Sequence, residues 1–256
     1  MVPDLQLALE AADVAERITL DAFRRPSLHV ETKADDSPVS EADRAAERAI
    51  RELLTRERPS DAVLGEEMGL SGEGGRRWLL DPIDGTVNFV TGVPVWATLI
   101  GLEVDGRIQV GVVSAPALGR RWWAVRGEGA FAAGPGGQPQ RLHVSSVSEL
   151  SEATITSSCV GDFEDPARVA RLAARVKRDR GFGDFWNHML VAEGACDVGL
   201  DPVVSVWDVA ALQVIVEEAG GRFTDFSGQA RLDGASAISS NGLLHDQVLA
   251  ALAAEA

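Results

Sequence analysis

Residues 78–89 read Trp-Leu-Leu-Asp-Pro-Ile-Asp-Gly-Thr-Val-Asn-Phe, a short strand-like run that ends in two aspartates three positions apart. Pro82 constrains the turn between Asp81 and Asp84, so that both carboxylates converge while the Ile83 carbonyl points the same way. Gly85 and Thr86 follow at a helix start, where free backbone N–H groups suit a phosphate. Such oxygen donors are what Mg²⁺ and Mn²⁺ take, and Mg²⁺ keeps waters that a phosphate replaces.

Two further acidic groups stand at element boundaries. Gly65-Glu66-Glu67 follows an apolar strand at 62–64, and Trp207-Asp208 opens a helical pattern over 208–219 stopped by Gly220-Gly221. Upstream, Leu5, Ala8, Ala12, Ala15 and Leu20 predict an amphipathic helix over 5–24. Ser40 is placed to cap a second helix over 41–57, with Asp43 as its capping-box partner and Ala46, Ile50, Leu53 and Leu54 as its apolar face. Strands are expected at 96–104 and 107–113, joined by the two-residue turn Asp105-Gly106, and at 121–125. The first half therefore reads as two helices on a largely antiparallel sheet. Gly127–Gly137, rich in Gly and Pro, reads as a surface loop or lobe boundary. Beyond it the pattern predicts strands at 153–156, 196–200 and 237–239, and helices at 166–176, 185–193 and 243–254. The class is mixed α and β in layers, with an N-terminal α+β lobe at 1–140 and a C-terminal α/β lobe at 141–256.

Composition narrows the function. The 256 residues are 45% apolar and 25% charged, enough for a large core without disulfides or a structural metal. Lys and Arg total 24 against 39 Asp and Glu, a net charge of −15, the wrong sign for nucleic acid or an anionic membrane surface. No apolar run approaches the ~20 residues of a membrane span. The N-terminus lacks the basic region of a signal peptide, so a cytoplasmic protein is expected. Cys159 and Cys196 show no CxxC spacing and read as buried thiols. The chain carries no GxSxG, HExxH or GxxxxGK[ST], so neither a nucleophilic serine, a zinc protease nor a P-loop is indicated. Lys33 and Lys177 are the only lysines, and Lys33 sits where a compact positive charge could meet phosphate or ligand carboxylates. His29, His143 and His245 lack metal-ligand spacing, and His188 reads as a packed or rim residue near the pocket.

The ordered set GEE, DPIDGTxNF and WDxAA, at 65–67, 81–89 and 207–211, resembles the inositol-monophosphatase family. The likeness extends to Lys33–Asp43, to Gly92-Val-Pro and to Glu218-Ala-Gly-Gly221. It implies a layered αβαβα sandwich of the inositol-monophosphatase/fructose-bisphosphatase type, two or three Mg²⁺ ions (or Mn²⁺) and a homodimer. Carried over by position, Glu66, Asp81, Asp84, Asp208 and the Ile83 carbonyl would be metal ligands, with Glu67 a secondary candidate. Asp43 and Thr86, with Glu66, resemble the catalytic group that orients an attacking water, and Gly85 and Thr86 the phosphate site. One metal would activate water while another neutralises the leaving oxygen.

Arg180-Gly-Phe-Gly-Asp184, followed by Val191-Ala-Glu-Gly194 and Asp197, resembles the histidinol-phosphatase branch of that family. Segments 93–97, 112–117 and 121–124 add to this kinship. An acid at 184 suits a leaving alcohol with an ammonium and an imidazole, and Asp201 matches a family position that contacts that alcohol. Asp184 could equally cap the following helix. Val87 departs from the branch, where lysine is usual, and leaves the choice of substrate open. The expected activity is Mg²⁺-dependent hydrolysis of L-histidinol phosphate to L-histidinol and phosphate, in histidine biosynthesis. The same chemistry on inositol 1-phosphate or a broad set of small phosphates is the alternative. A non-catalytic interaction module is a third reading, opposed by the intact set of ligand carboxylates with Thr86 and Asp43.

Overall fold

The computed structural model describes residues 2–25, 28–33 and 38–253. Pro3 occupies the first turn of α1 (Pro3–Ala22), where its missing N–H costs nothing. A two-stranded ribbon, β1 (Val30–Thr32) with β2 (Pro38–Ser40), leads into α2 (Glu41–Glu57). The expected capping box is present: the Asp43 carboxylate accepts the Ser40 N–H at 2.8 Å, and the Ser40 hydroxyl accepts the Ala42 N–H at 3.2 Å. Within the Lys33–Asp43 segment, residues 34–37 lie outside the described residues.

Eight strands follow in one sheet: β3 (Ala62–Gly65), β4 (Gly69–Ser71), β5 (Arg76–Asp84), β6 (Ala97–Val104), β7 (Arg107–Ala115), β8 (Arg120–Val125), β9 (Gly129–Ala133) and β10 (Gln140–Arg141). Their order is β10-β9-β8-β7-β6-β5-β3-β4, antiparallel throughout except for the parallel pair β3/β5. The short α3 (Thr86–Thr91) leaves the end of β5. Side chains alternate between faces as the pleat requires. Trp78, Leu80, Ile100, Leu102, Val110 and Val112 meet α1 and α2, whereas Leu79, Leu99 and Val113 join the opposite core. Asp105 and Gly106 both have positive φ (50° and 77°), the backbone of a tight hairpin whose twist matches the strands.

One expectation is overturned here. Gly127–Gly137 is not a continuous loop, because Gly129–Ala133 forms β9 and pairs with β8 from Val125↔Gly129 to Arg121↔Ala133. Ala130 and Ala132 face inward, and such small residues carry too little hydrophobic signal to stand out among glycines. Glu218 fixes the preceding turn by accepting the N–H groups of Gly127 and Gly129, each at 2.9 Å.

The rest of the chain forms β11 (Thr154–Ser157), α4 (Pro166–Ala173), β12 (Arg178–Gly181), α5 (Asp184–Ala192), β13 (Val198–Asp201), α6 (Val206–Glu218), β14 (Arg222–Thr224), β15 (Ala237–Ser240) and α7 (His245–Ala253). The second sheet runs β12-β11-β13-β15-β14, with β11 parallel to both of its neighbours. The expected elements occur, shifted by up to three residues; position 254, expected in the last helix, lies outside the described residues. Helices α5 and α6 lie between the sheets, α1 and α2 cover the outer face of the large sheet, and α4 and α7 cover the small one. This is the expected αβαβα sandwich. No helix among the described residues is long and apolar enough to cross a membrane.

The seating of α6 positions the site. Gly101 and Gly111 face each other across β6 and β7. A Cβ on Gly111 would lie 2.6 Å from the Ala211 carbonyl oxygen, and one on Gly101 2.9 Å from the Ala210 Cβ. Two glycines and two alanines thus let helix and sheet come close. Gly111→Ala forces backbone apart at this seat, an overpacking that costs ~1–3 kcal/mol. Urea unfolding should show a lower midpoint at unchanged slope; an unchanged midpoint would mean that the helix yields freely.

Candidate metal centre and substrate pocket

The pairing of β5 with β6 slips between Asp81 and Asp84, so the strand end bulges and turns both carboxylates to one side. Thr98 donates to the Pro82 carbonyl at 2.8 Å, which leaves the neighbouring Ile83 carbonyl inside the turn, where it accepts the Thr86 hydroxyl at 2.9 Å. Asp208 arrives from the third residue of α6, in a second capping box with Ser205. Among the described residues, Asp81, Asp84 and Asp208 converge, one oxygen of each lying within 4.8 Å of the others. Each carboxylate has one oxygen tied to a backbone N–H. Ile83 donates to Asp81 Oδ1 at 2.9 Å, Phe185 to Asp84 Oδ2 at 2.7 Å and Ser205 to Asp208 Oδ2 at 2.7 Å.

Burial and mutual repulsion make this cluster proton-loving. Burial first, then Glu66, Asp84 and Asp208, raises Asp81 well above the usual carboxylate range. Burial, Asp184 and Asp208 do the same to Asp84. Asp208 is pushed up to about 7, chiefly by burial, although the Ser205 N–H opposes the shift. Three crowded carboxylates with only oxygen donors around them fit a hard divalent cation, whose charge offsets both penalties.

Glu66 and Glu67 follow β3 and lie beside this centre, with Glu66 adjacent to Asp81. Lys33 Nζ donates to Glu66 Oε1 at 2.7 Å and also to Glu67 Oε1. Burial works against the Lys33 charge, but the two carboxylates outweigh it and hold the ammonium above the ordinary lysine value. Glu47, absent from the expected site residues, shapes this turn. Its buried carboxylate accepts the N–H groups of Glu67 and Met68 at 2.8 and 3.1 Å and pairs with Arg51 at 2.7 Å. A Cβ at Gly65 would collide with the Glu47 carboxylate, which is why glycine precedes the acidic pair. The spacing Asp43, Glu47, Arg51 along α2 was the available signal: polar residues four apart beside an apolar face.

Asp43 is fully buried, and its Oδ2 accepts both the N–H and the hydroxyl of Ser40. Among the described residues its Oδ1 has no partner, and burial, against the Ser40 bonds, pushes the group up to about 6. An unpaired oxygen on a buried carboxylate is costly unless a ligand or water completes it. Gly85, at φ 81°, precedes α3, and Thr86 is the first residue of that helix. Val87 is 60% exposed, so a neutral residue there leaves the fold undisturbed.

Asp84, Asp184, Asp201, His188 and Asp208 line one cavity of about 150 Å³. Asp43, Glu66, Glu67 and Thr86 are not part of its lining. Asp184 does not cap α5: Gly183 holds the cap position at φ 82°, and Asp184 is the first helical residue at φ 53°. This left-handed pair swings the Asp184 carboxylate onto Asn88, which donates from Nδ2 at 3.1 Å, and to 3.1 Å from where a Cβ on Gly85 would lie. Burial, then Asp201 and Asp162, pushes Asp184 up to about 7. The thiols also divide: Cys196 is buried as expected, whereas Cys159 is exposed, because the turn after β11 stands at the surface.

The sequence profile of the inositol monophosphatase family matches residues 2–256. The chain is 53% identical over 253 residues to a histidinol-phosphatase of Mycobacterium tuberculosis, covering 97% of each chain. It is 51% identical to a histidinol-phosphatase of Streptomyces coelicolor, covering 96% of this chain and 95% of the relative. A solved inositol monophosphatase from Thermotoga maritima superposes with a TM-score of 0.87 at 33% identity, over 97% of this chain and 96% of the other.

The raised carboxylates fix the sign of a pH effect. Folded Asp208, near 7, binds protons that the unfolded chain has released above ~4, so this stability is present at acid pH and lost as pH rises through 7. The chelated protein should therefore lose thermal stability between about pH 5 and 8 relative to protein with saturating Mg²⁺, which displaces those protons. A constant gap between chelated and Mg²⁺-loaded unfolding temperatures across that range would contradict this electrostatic account.

Proposed function

The chain belongs to the inositol monophosphatase family, and from that premise we propose that it is a Mg²⁺-dependent phosphatase that converts L-histidinol phosphate to L-histidinol and phosphate. The observation that carries this reading is the single cavity in which Asp184 and Asp201 stand beside Asp84 and Asp208. Anionic groups on the leaving-alcohol side suit the ammonium and imidazole of histidinol, and inositol offers no such charge. Two relatives above half identity, both histidinol-phosphatases, support the same choice.

In this reading residues 1–140 supply most of the metal and phosphate groups, and 141–256 supply Asp208 and the selectivity residues. Asp81, Asp84, Asp208, Glu66 and the Ile83 carbonyl would hold two or three Mg²⁺, with Glu67 a secondary ligand. Bound Mg²⁺ supplies the positive charge that lowers the pKa of a water and offsets charge on the leaving oxygen. Asp43 Oδ1, unpaired among the described residues, orients that water toward phosphorus with the Thr86 hydroxyl and Glu66, and receives its proton. The N–H groups of Gly85 and Thr86 bind the phosphate oxygens. Lys33 balances Glu66 and Glu67 and holds them in place. The water oxygen bonds to phosphorus, the bond to the alcohol oxygen breaks in line, that oxygen takes a proton from solvent water as histidinol leaves, and Asp43 returns its proton to solvent. Asp184 and Asp201 hold its cationic end throughout. A homodimer in the cytoplasm completes the reading.

Kinetics on two esters test it. Wild type should favour histidinol phosphate over inositol 1-phosphate in kcat/KM. Asp184→Asn keeps a residue that tolerates φ 53° and removes only the charge. It should lower kcat/KM for histidinol phosphate by about 10- to 150-fold, the worth of one charge-assisted hydrogen bond, and change the inositol ester much less. Equal losses on both would place Asp184 in support of the metal centre. Asp84→Asn should cut kcat on both esters by orders of magnitude at saturating Mg²⁺, because it removes a charge from the ion site.

A further inference from the structure

His188, on the first turns of α5, is fully buried and borders the cavity. Its Nε2 lies 2.8 Å from Asp201 Oδ2 and its Nδ1 lies 2.8 Å from Ser239 Oγ. The adjacent Asn187 donates from Nδ2 to the other oxygen, Asp201 Oδ1, at 3.2 Å. Asn187 is itself fixed, because its Oδ1 accepts the Thr156 hydroxyl and the Gly183 N–H. Thr156, Asn187 and Ser239 are all buried. Gly199 stands opposite Ser239, and a Cβ there would fall 2.7 Å from the Ser239 Oγ, so glycine leaves the hydroxyl room to reach the ring. Phe223 packs against the imidazole at 5.2 Å between ring centres.

All three polar groups are satisfied by one proton arrangement. The Ser239 hydroxyl donates to Nδ1 and the Nε2–H donates to Asp201 Oδ2. Burial raises Asp201, and the His188 and Asn187 donors oppose this by favouring its charged form. An imidazolium would instead cancel the charge of Asp201 from behind and force Ser239 to accept.

We infer that His188 is a positioning residue for substrate choice: held by Ser239 as the neutral Nε2–H tautomer, it fixes the Asp201 carboxylate as an anion for the cationic end of the leaving alcohol. This rests on the histidinol-phosphate reading above. Among the described residues the polar partners of His188 are Asp201 and Ser239, so its effect belongs to the alcohol side and not to the phosphorus chemistry.

The test uses the Mg²⁺-loaded full chain and the variants His188→Phe, His188→Gln and Ser239→Ala. Gln reaches as many bonds from Cβ to its terminal nitrogen as the ring does to Nε2, so it restores the donor to Asp201. His188→Phe should lower kcat/KM for histidinol phosphate about tenfold or more, through KM, with less than about a threefold loss on inositol 1-phosphate. His188→Gln should recover most of the loss, and Ser239→Ala should lie between. Nitrogen NMR of labelled histidine should find the His188 proton on Nε2 in the wild type. Parallel losses on both esters, or a proton on Nδ1, would overturn the positioning role. A wild type without preference for histidinol phosphate overturns the substrate reading, and this inference with it. A wild-type preference that survives in His188→Phe overturns the inference alone.

Discussion

Three carboxylates packed within 4.8 Å repel one another, and the architecture is arranged to hold them there. No single element could do so. Asp81 is tethered within its own turn, Asp84 by an amide at the start of α5, and Asp208 by the cap of α6. These tethers take one oxygen from each group and come from backbone, which cannot swing away as a side chain can. They also join distant parts of the chain, because the amide that holds Asp84 belongs to Phe185. The carboxylate centre and the Asp184 side of the cavity therefore share a wall.

Several motif residues that look chemical serve this placement instead. In Trp-Asp-Val-Ala-Ala only Asp208 reaches the centre, while Ala210 and Ala211 allow α6 to settle on Gly101 and Gly111. Gly65 makes way for Glu47, and Glu218 anchors the turn before β9. A motif in this protein is a chemical group together with the packing that delivers it.

Much of this was legible in the sequence because the physics is local. The capping box at Ser40 and Asp43, the Asp105-Gly106 turn and the apolar faces of α1 and α2 depend on neighbours within a few positions. The acidic clusters were visible because carboxylates at strand ends are conspicuous against a buried core. What was hidden depends on partners far along the chain. The charged edge strand β12 gains its conformation only beside β11, and β9 only beside β8. Asp184 looked like a helix cap because aspartate usually is one there, and its left-handed backbone follows from Gly183 and from the contact with Asn88. Glu47 was passed over because a glutamate on a helix usually faces water, and this one is enclosed by a loop twenty residues downstream.

The backbone at Asp184 also bears on how this pocket can diverge. Glycine, asparagine and aspartate occupy a φ of 53° with the least strain, so the helix start favours a short alphabet. In the genetic code both neutral members of that alphabet are one base change from aspartate. A lineage can therefore discharge this wall of the cavity in a single mutational step while the scaffold stays intact, and recover the charge by simple reversion. Most other side chains at the same position meet a steric penalty. The charge at this one position is thus easily changed, whereas the three tethered carboxylates beneath it are held from separate parts of the fold.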